Sequence, residues 1–231
     1  MSVPGRTTRD SRSWWPLLGL LTVLTYNTWA LWSPLNGQQQ ILNGYLSELS
    51  ASDQPNNLFF RGGDLVTALI VGALGVRALR VWPRWSTRRR WWLVAATGLL
   101  LFAVSTFLDS FFSMDCSPTL SAECRVLEES GRLSLVHYAH TYTSVGAQTG
   151  IVTSMVAAYI ALRRGGLGGM WRPVLLAGCL GEVGSLALLL VMIAVGASGI
   201  GFPQAVTVLI GSLWFGAVGV SLTGRGRGVV Q

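Results

Sequence analysis

The feature that most constrains this chain is the uneven distribution of its arginines around long apolar runs. All 17 basic residues among the 231 are arginines. Six almost uncharged runs, each near the roughly 20 residues that span a bilayer as a helix, lie at 14–32, 62–82, 91–112, 133–162, 171–196 and 202–222. If the runs cross in turn, 14 arginines fall on one side and only Arg61, Arg125 and Arg132 on the other. The positive-inside rule then places both termini in the cytoplasm.

The composition indicates a single membrane domain. The chain is 51% hydrophobic and only 12% charged, whereas a soluble domain carries roughly 25% charged residues. We therefore expect an all-α, polytopic protein of the bacterial inner (cell) membrane, with one domain over 1–231 and outer segments at 33–61 and 113–132. Because the net charge of +7 comes from arginines that flank apolar runs, the expected partner is the lipid bilayer and not nucleic acid.

The outer segment 113–132 contains Cys116 and Cys124. The predicted topology places both outside the cytoplasm, where cysteines oxidise, so we expect a disulfide between them. A loop this short would stabilise the fold by about 2–3 kcal/mol. The third cysteine, Cys179, lies in the fifth run and is expected to be a small buried packing residue.

The outer segment 33–61 carries apolar residues at helical spacing, which are Ile41, Leu42, Tyr45, Leu46 and Leu49. This pattern predicts a short amphipathic helix within 37–49. The helix would lie on the outer membrane surface or fold over the mouth of the bundle as a lid. The pattern alone leaves both interpretations open.

Ionisable residues of the apolar runs collect near the outer ends of those runs. Asp64 lies near the start of the second run, Asp109 near the end of the third, and His137 and His140 near the start of the fourth. Four ionisable groups from three helices are therefore expected at one level of the membrane. This level is the best candidate for a functional site.

The fourth run extends this polar level towards the membrane centre. Its polar residues recur at helical spacing and are Ser134, His137, His140, Thr141, Ser144 and Gln148. A polar stripe on a spanning helix faces the protein interior or a water-filled cavity, because lipid cannot hydrogen-bond to it. Glu182, near the middle of the fifth run, is expected within reach of Gln148.

Two histidines three residues apart can present both imidazoles on one helix face. With Asp109 (or Asp64), His137 and His140 could form a three-ligand zinc site with an open position for water. Such a metal would lower the pKa of that water and allow hydrolysis. The remaining carboxylate would orient a ligand or act as general base. The His-x-x-His spacing permits this site without specifying it.

A plainer interpretation of the two aspartates also fits the sequence. Asp64 would stabilise the N-terminus of its helix through the macrodipole. Asp109 would pair with Arg125 or Arg132. In that case neither carboxylate has a chemical role.

Three segments carry a resemblance to a known family, at 45–51, 54–55 and 60–64, with the sequences YLSELSA, QP and FRGGD. With the six-helix layout and the His137/His140 segment after an acidic outer loop, they resemble the bacterial membrane family known as domain of unknown function 998. The resemblance covers roughly the first through the fifth run and implies no activity.

A fainter similarity is to the alkaline ceramidases and adiponectin-type receptors, which are intramembrane zinc hydrolases with Ser, Asp and His ligands at helix ends. The chain differs in having His-x-x-His and not His-x-x-x-His, only two histidines, and six helices and not seven. The similarity implies a metal-assisted amide or ester hydrolase that acts on lipid.

We therefore predict a membrane-embedded enzyme with an outward-facing polar pocket for a lipid or lipophilic substrate. In the hydrolase interpretation, zinc is bound as above and Ser144 or Asn27 stabilises the oxyanion. A metal-free alternative uses Asp64, Asp109 and Glu182 as acid–base groups of a cyclase or isomerase acting on an isoprenoid-like substrate.

A non-catalytic alternative is a small transporter or a membrane partner subunit. A transporter needs a polar path through the bilayer, and the runs are almost wholly apolar on the cytoplasmic side of Gln148 and Glu182. A partner subunit would tolerate loss of the histidines, whereas an enzyme would not.

Overall fold

The computed structural model describes residues 13–31, 35, 41–84, 89–164 and 171–223. The terminal arginines at 6, 9, 12, 225 and 227, and Arg88, lie outside these residues. Where the chain is described it is helical and contains no strand. The all-α prediction is confirmed.

Helices occupy all six predicted runs, and a seventh lies in the second outer segment. The α-helices are α1 (Trp15–Thr25), α2 (Asn57–Val81), α3 (Arg89–Asp109), α4 (Ala122–Glu129), α5 (Leu135–Arg164), α6 (Trp171–Ala194) and α7 (Gly201–Ser221). Within the described residues, α3, α5, α6 and α7 are long and apolar enough to cross a membrane. The chain is therefore a multi-pass membrane protein.

The first two helices differ from their predicted bounds. The first run was predicted to be helical over 14–32, but α1 ends at Thr25 and a 3-10 turn follows at Thr28–Leu31. Side-chain hydrogen bonds to the backbone accompany this ending, among them one from Asn27 Nδ2 to the Val23 carbonyl at 2.8 Å. α2 begins at Asn57 and not at residue 62, because Asn56 adopts a left-handed conformation (φ 58°) and Asn57 Nδ2 donates to the Gln54 carbonyl at the turn.

Among the described helices, α3 and α5 share the most extensive contact. A Cβ on Gly98 would stand 2.6 Å from the Ser154 backbone nitrogen, and one on Gly150 would stand 2.5 Å from the Phe102 backbone nitrogen. Two glycines thus let the two backbones touch, as small residues do in membrane bundles. This contact fixes Asp109, at the end of α3, beside the first turns of α5.

The predicted disulfide between Cys116 and Cys124 is present, with the two Cα atoms 6.0 Å apart. Cys124 lies in α4, whose N-cap residue Ser121 accepts a hydrogen bond from the Cys124 backbone nitrogen. Cys179 is a free buried cysteine, as expected.

The segment predicted as one amphipathic helix forms two 3-10 turns, Ile41–Asn43 and Leu46–Ser50. Leu46 and Leu49 are buried and pack with Phe60 of α2 and Ala205 of α7. The Leu46 backbone nitrogen donates to Gln204 Oε1 at 2.8 Å. Residues 41–51, which we call the lid segment, therefore pack over the end of the bundle, as the lid interpretation expects. Residues 37–40 of the predicted segment lie outside the described residues.

Candidate functional site

A cavity of about 110 Å³ lies beneath the lid segment, and we call it the mouth pocket. Its polar lining includes Asp64, Thr106, Asp109, Ser144, Gln148 and Gln204. Leu46, Leu49 and Phe60 contribute apolar lining. A buried water needs only about 10–15 Å³ of such space, so the pocket has room for a small head group but not for a whole lipid.

One imidazole, that of His140, contacts two side chains that line the mouth pocket, Asp109 and Ser144, and one backbone carbonyl. His140 Nδ1 lies 3.1 Å from Asp109 Oδ1 and 2.9 Å from the Phe112 carbonyl oxygen. Its Nε2 lies 3.5 Å from Ser144 Oγ. Because both neighbours of Nδ1 are oxygen acceptors, Nδ1 carries the proton, and in the neutral ring Nε2 offers its lone pair to Ser144.

Asp109 is held by several donors from α5. It accepts hydrogen bonds from Thr143 Oγ1 and from Ser144 Oγ, the latter at 3.3 Å. Its side chain is 16% exposed and that of His140 is 6% exposed. The predicted pairing of Asp109 with Arg125 or Arg132 is wrong, since Arg125 Nε donates to a loop carbonyl and Arg132 Nε to Ser130. His140 and Ser144 lie one helical turn apart on the predicted polar stripe of α5. Both side chains therefore contact Asp109.

Asp64 lies across the pocket on α2. Because α2 begins at Asn57, Asp64 is in its second turn and not at its first position, so the macrodipole interpretation loses its basis. No hydrogen bond or ion pair reaches its carboxylate from any residue that the structure describes. The Thr106 hydroxyl, also at the pocket, is buried and has no partner there either.

His137 is separated from the pocket by its own hydrogen bonds. Its Nδ1 accepts from the Asp115 backbone nitrogen at 3.1 Å, which leaves Nε2 to face Glu128 Oε1 at 3.4 Å. Asp115 in turn accepts from the Ser134 hydroxyl and backbone nitrogen, both at 2.7 Å. Burial alone would raise the pKa of the Asp115 carboxyl, but the Ser134 hydrogen bonds and the nearby His137 together lower it. His137 therefore anchors the disulfide-bearing segment to the start of α5.

The predicted zinc site is not assembled. Among the described residues no group of three or more His, Cys, Asp or Glu side chains is placed to hold a metal ion. His137 and His140 turn their ring nitrogens to different partners, Glu128 and Asp109, because the three-residue step rotates successive side chains around the helix. The proposed ligand set of His137, His140 and Asp109 thus receives no support from the geometry.

Glu182 is wholly buried in α6 and accepts a hydrogen bond from Gln148 Nε2. This contact is the one predicted from depth alone. Its second oxygen, Oε2, has no partner among the described residues. Gln148 lines the mouth pocket and Glu182 does not. The Glu182 carboxylate is therefore linked to the pocket through its hydrogen bond with the Gln148 amide.

The lid segment is attached to the disulfide-bearing segment through Glu48. The Glu48 carboxylate accepts from the Thr119 hydroxyl and from the Tyr45 backbone nitrogen. Burial raises the pKa of the Glu48 carboxyl, and these hydrogen bonds only partly oppose the rise. Ser117 Oγ also donates to Asp53 Oδ1 at 3.2 Å. Both contact residues, Ser117 and Thr119, lie between the two bonded cysteines.

Three residues were not predicted as site residues: Thr106 and Gln204, which line the pocket, and Thr143, which donates to Asp109. Single polar residues in apolar helices give no signal of which way they face. Asn27, predicted as an oxyanion donor, is instead bonded to Val23 and to Ser212 Oγ and does not line the pocket.

A family model matches residues 13–221, and its description reads "Protein of unknown function (DUF998)". Searches of curated proteins and of solved structures found no match. No comparison supports the similarity to alkaline ceramidases and adiponectin-type receptors.

Proposed function

We propose that this chain, which belongs to the DUF998 family of proteins of unknown function, is a membrane-embedded serine hydrolase acting on a lipophilic ester or amide. The family description names no activity, so the proposal rests on the site. The observation that carries it is the His140 imidazole, which contacts Asp109 through one ring nitrogen and faces Ser144 through the other. An acid, an imidazole and a hydroxyl in this order form the constellation of nucleophilic acyl transfer.

The distances suit a resting site. The 3.5 Å separation of Ser144 Oγ from His140 Nε2 is longer than a strong hydrogen bond, and such contacts are often loose before substrate binds. Ser144 Oγ also lies 3.3 Å from Asp109 Oδ1. The Ser144 hydroxyl therefore donates to the carboxylate here, and rotation about its Cβ–Oγ bond would turn the proton to the imidazole.

In the proposed reaction Ser144 Oγ attacks the substrate carbonyl carbon while its proton passes to His140 Nε2. The bond to the leaving alcohol or amine then breaks, and the leaving group takes that proton. Water, deprotonated by the same imidazole, hydrolyses the acyl-serine, releases the acid and restores Ser144. The Thr106 hydroxyl, buried at the pocket without a partner, would donate to the oxyanion.

The orientation completes the proposal. We assign six spans, with α1 and α2 crossing beside the four longer helices, and both termini in the cytoplasm of a bacterial inner membrane. Support comes from the arginines, since Arg77, Arg80, Arg163 and Arg172 lie at helix ends opposite the mouth pocket. In this topology the pocket opens to the outer face, and lipids of that leaflet supply the substrate.

The test is labelling of the purified protein with an alkyl fluorophosphonate, which reacts with activated serines. We expect one adduct per chain, located at Ser144 by peptide mass spectrometry. S144A should abolish labelling and H140Q should slow it by a factor of about 10² or more. Ser134→Ala changes a serine that lies immediately before α5 and outside the pocket, and it should label as wild type does. Absence of labelling in folded wild-type protein would refute the proposal.

A second candidate is supported by Asp64, whose carboxylate faces the pocket without a partner. With Asp109 and Glu182 it could act as an acid–base group of a metal-free cyclase or isomerase. That enzyme would keep its turnover in S144A and lose it in D64N. A non-catalytic partner subunit would show neither labelling nor any dependence on these side chains.

A further inference from the structure

The mouth pocket has an unbalanced charge that indicates what it binds. Among the described residues, two carboxylates line it, Asp64 and Asp109, and no arginine does. Asp109 has His140 beside it, whereas Asp64 has no hydrogen-bonding or ionic partner among the described residues. Asp64 is half-buried at the level of the helix ends. A carboxylate in such a place without a partner is unusual, and a nearby cation is the usual counter-charge.

We propose that the mouth pocket binds the ammonium head of a cationic amphiphile, with Asp64 as its counter-ion. This deepens the proposed function, on which it rests, by naming an amine-bearing ester or amide as the substrate class. The amine would contact Asp64 on α2 while the scissile carbonyl reaches Ser144 on α5.

The other lining residues suit such a head group. Tyr26, Trp29 and Phe60 place aromatic rings at the pocket, and the faces of aromatic rings attract ammonium groups. Thr106 is 4% exposed and its hydroxyl lacks a partner. Two polar groups that face one cavity without partners indicate a ligand that hydrogen-bonds.

The nearby arginine does not cancel the carboxylate. Arg61, one turn before Asp64, donates instead to the Ser110 carbonyl at 2.8 Å and to the Phe111 carbonyl at 3.5 Å. Both contacts lie at the end of α3, and Arg61 does not line the pocket. The Arg61 guanidinium therefore stabilises the carbonyl groups at the end of α3 and does not pair with Asp64.

The volume limits which part of the ligand enters. About 110 Å³ accommodates a head group of a few heavy atoms, whereas drug-sized ligands occupy pockets of roughly 300 Å³ or more. The apolar tail must remain outside, along Leu46, Leu49 and Phe60 at the lid segment or in the bilayer. An anionic head group of the same size would meet two carboxylates and be excluded.

The experiment compares three amphiphiles with one tail, decylammonium, decanol and decanoate, below their micelle concentrations. The protein would be in a neutral maltoside detergent, and binding would be followed by tryptophan fluorescence and by the melting temperature. The net charge of +7 would draw decanoate to the protein non-specifically, so a preference for decylammonium cannot arise from bulk charge.

We expect decylammonium to bind at least ten-fold more tightly than the other two probes. D64N, which keeps the shape and removes the charge, should reduce its affinity to that of decanol. Glu123→Gln, at an exposed acid outside the pocket, is the matched control and should bind as wild type does. Should D64N fail to fold, the comparison of the three probes on wild type still decides.

Equal binding of the three probes, or full affinity in D64N, would overturn the inference. The two proposals fail separately. If Ser144 is labelled but the protein shows no preference for decylammonium, the hydrolase proposal is kept and the amine-bearing substrate class is refuted. If decylammonium binds but Ser144 is not labelled, the ammonium site is kept and the hydrolase proposal is refuted.

Discussion

Substitution of Gly150 by alanine should loosen the contact on which the site is built. The new Cβ would stand 2.5 Å from the Phe102 backbone nitrogen and 2.7 Å from the Gly98 carbonyl oxygen, against the 3.4 Å at which ordinary contact begins. Both obstacles are backbone atoms, which cannot rotate away as a side chain would. Helices α3 and α5 must therefore separate by about 0.9 Å at this point.

The magnitude follows from that separation. A gap of 0.5–1 Å removes about a quarter to a half of the dispersion energy of the atoms that face it. Overpacking of a tight core costs about 1–3 kcal/mol, and the gain of up to about 1 kcal/mol in helix propensity from Gly to Ala offsets part of it. We expect G150A to lower the free energy of unfolding by about 1–2 kcal/mol.

The assay is unfolding in mixed micelles of sodium dodecyl sulfate and dodecyl maltoside, followed by tryptophan fluorescence. Gly184→Ala is the matched control, because a Cβ at Gly184 meets nothing within 4 Å, and it should be as stable as wild type or slightly more so. G150A should also label more slowly at Ser144, since the separation moves Asp109 away from α5. If G150A unfolds as wild type does, the close approach of α3 and α5 is wrong.

Three further predictions concern the covering of the pocket. Replacing Cys116 and Cys124 by serine should lower the free energy of unfolding by about 2–3 kcal/mol, measured in the same micelles, and reduction of wild type should reproduce the loss. Because burial raises the pKa of Glu48, the folded state binds the proton more tightly than the unfolded state does. The free energy of unfolding should therefore fall as pH rises from the ordinary glutamate range through the raised pKa. E48Q should remove this pH dependence, and an unchanged dependence would contradict the assignment to Glu48. Gln204→Leu leaves the Leu46 backbone nitrogen without its acceptor, at a cost of about 1–3 kcal/mol, and hydrogen exchange at residues 46–50 should quicken; unchanged protection would mean that the lid segment is held elsewhere.

The helices of the six apolar runs could be predicted from the sequence, because a segment in lipid must satisfy its backbone polar groups with hydrogen bonds of its own. It also indicated which ends carry the polar residues, and the Gln148–Glu182 contact followed from depth alone. The rotation of each helix about its axis was not predictable. That rotation decides which neighbours the side chains meet, and it brings His140 to Asp109 and His137 to Glu128. Two side chains that the spacing suggested as joint metal ligands therefore have different partners.

The lid segment shows a different limit. Of the apolar residues whose spacing predicted a helix, Leu46 and Leu49 are buried but Leu42 is exposed. The backbone forms two short 3-10 turns because specific partners fix it, such as Gln204 at Leu46 and Thr119 at Glu48. Those partners come from α7 and from the disulfide-bearing segment. No local pattern within 41–51 records them.

The buried carboxylate of α6 has a consequence for biogenesis. Glu182 lies near the middle of α6 and is its only charged residue after Arg172. A single charged residue at a helix centre makes insertion by the translocon about 3 kcal/mol less favourable. Gln148 supplies the hydrogen bond that lowers this cost, and α5 is synthesised before α6. We therefore expect the two helices to enter the bilayer together as a hairpin. In that case α5 stays at the translocon until α6 has been synthesised.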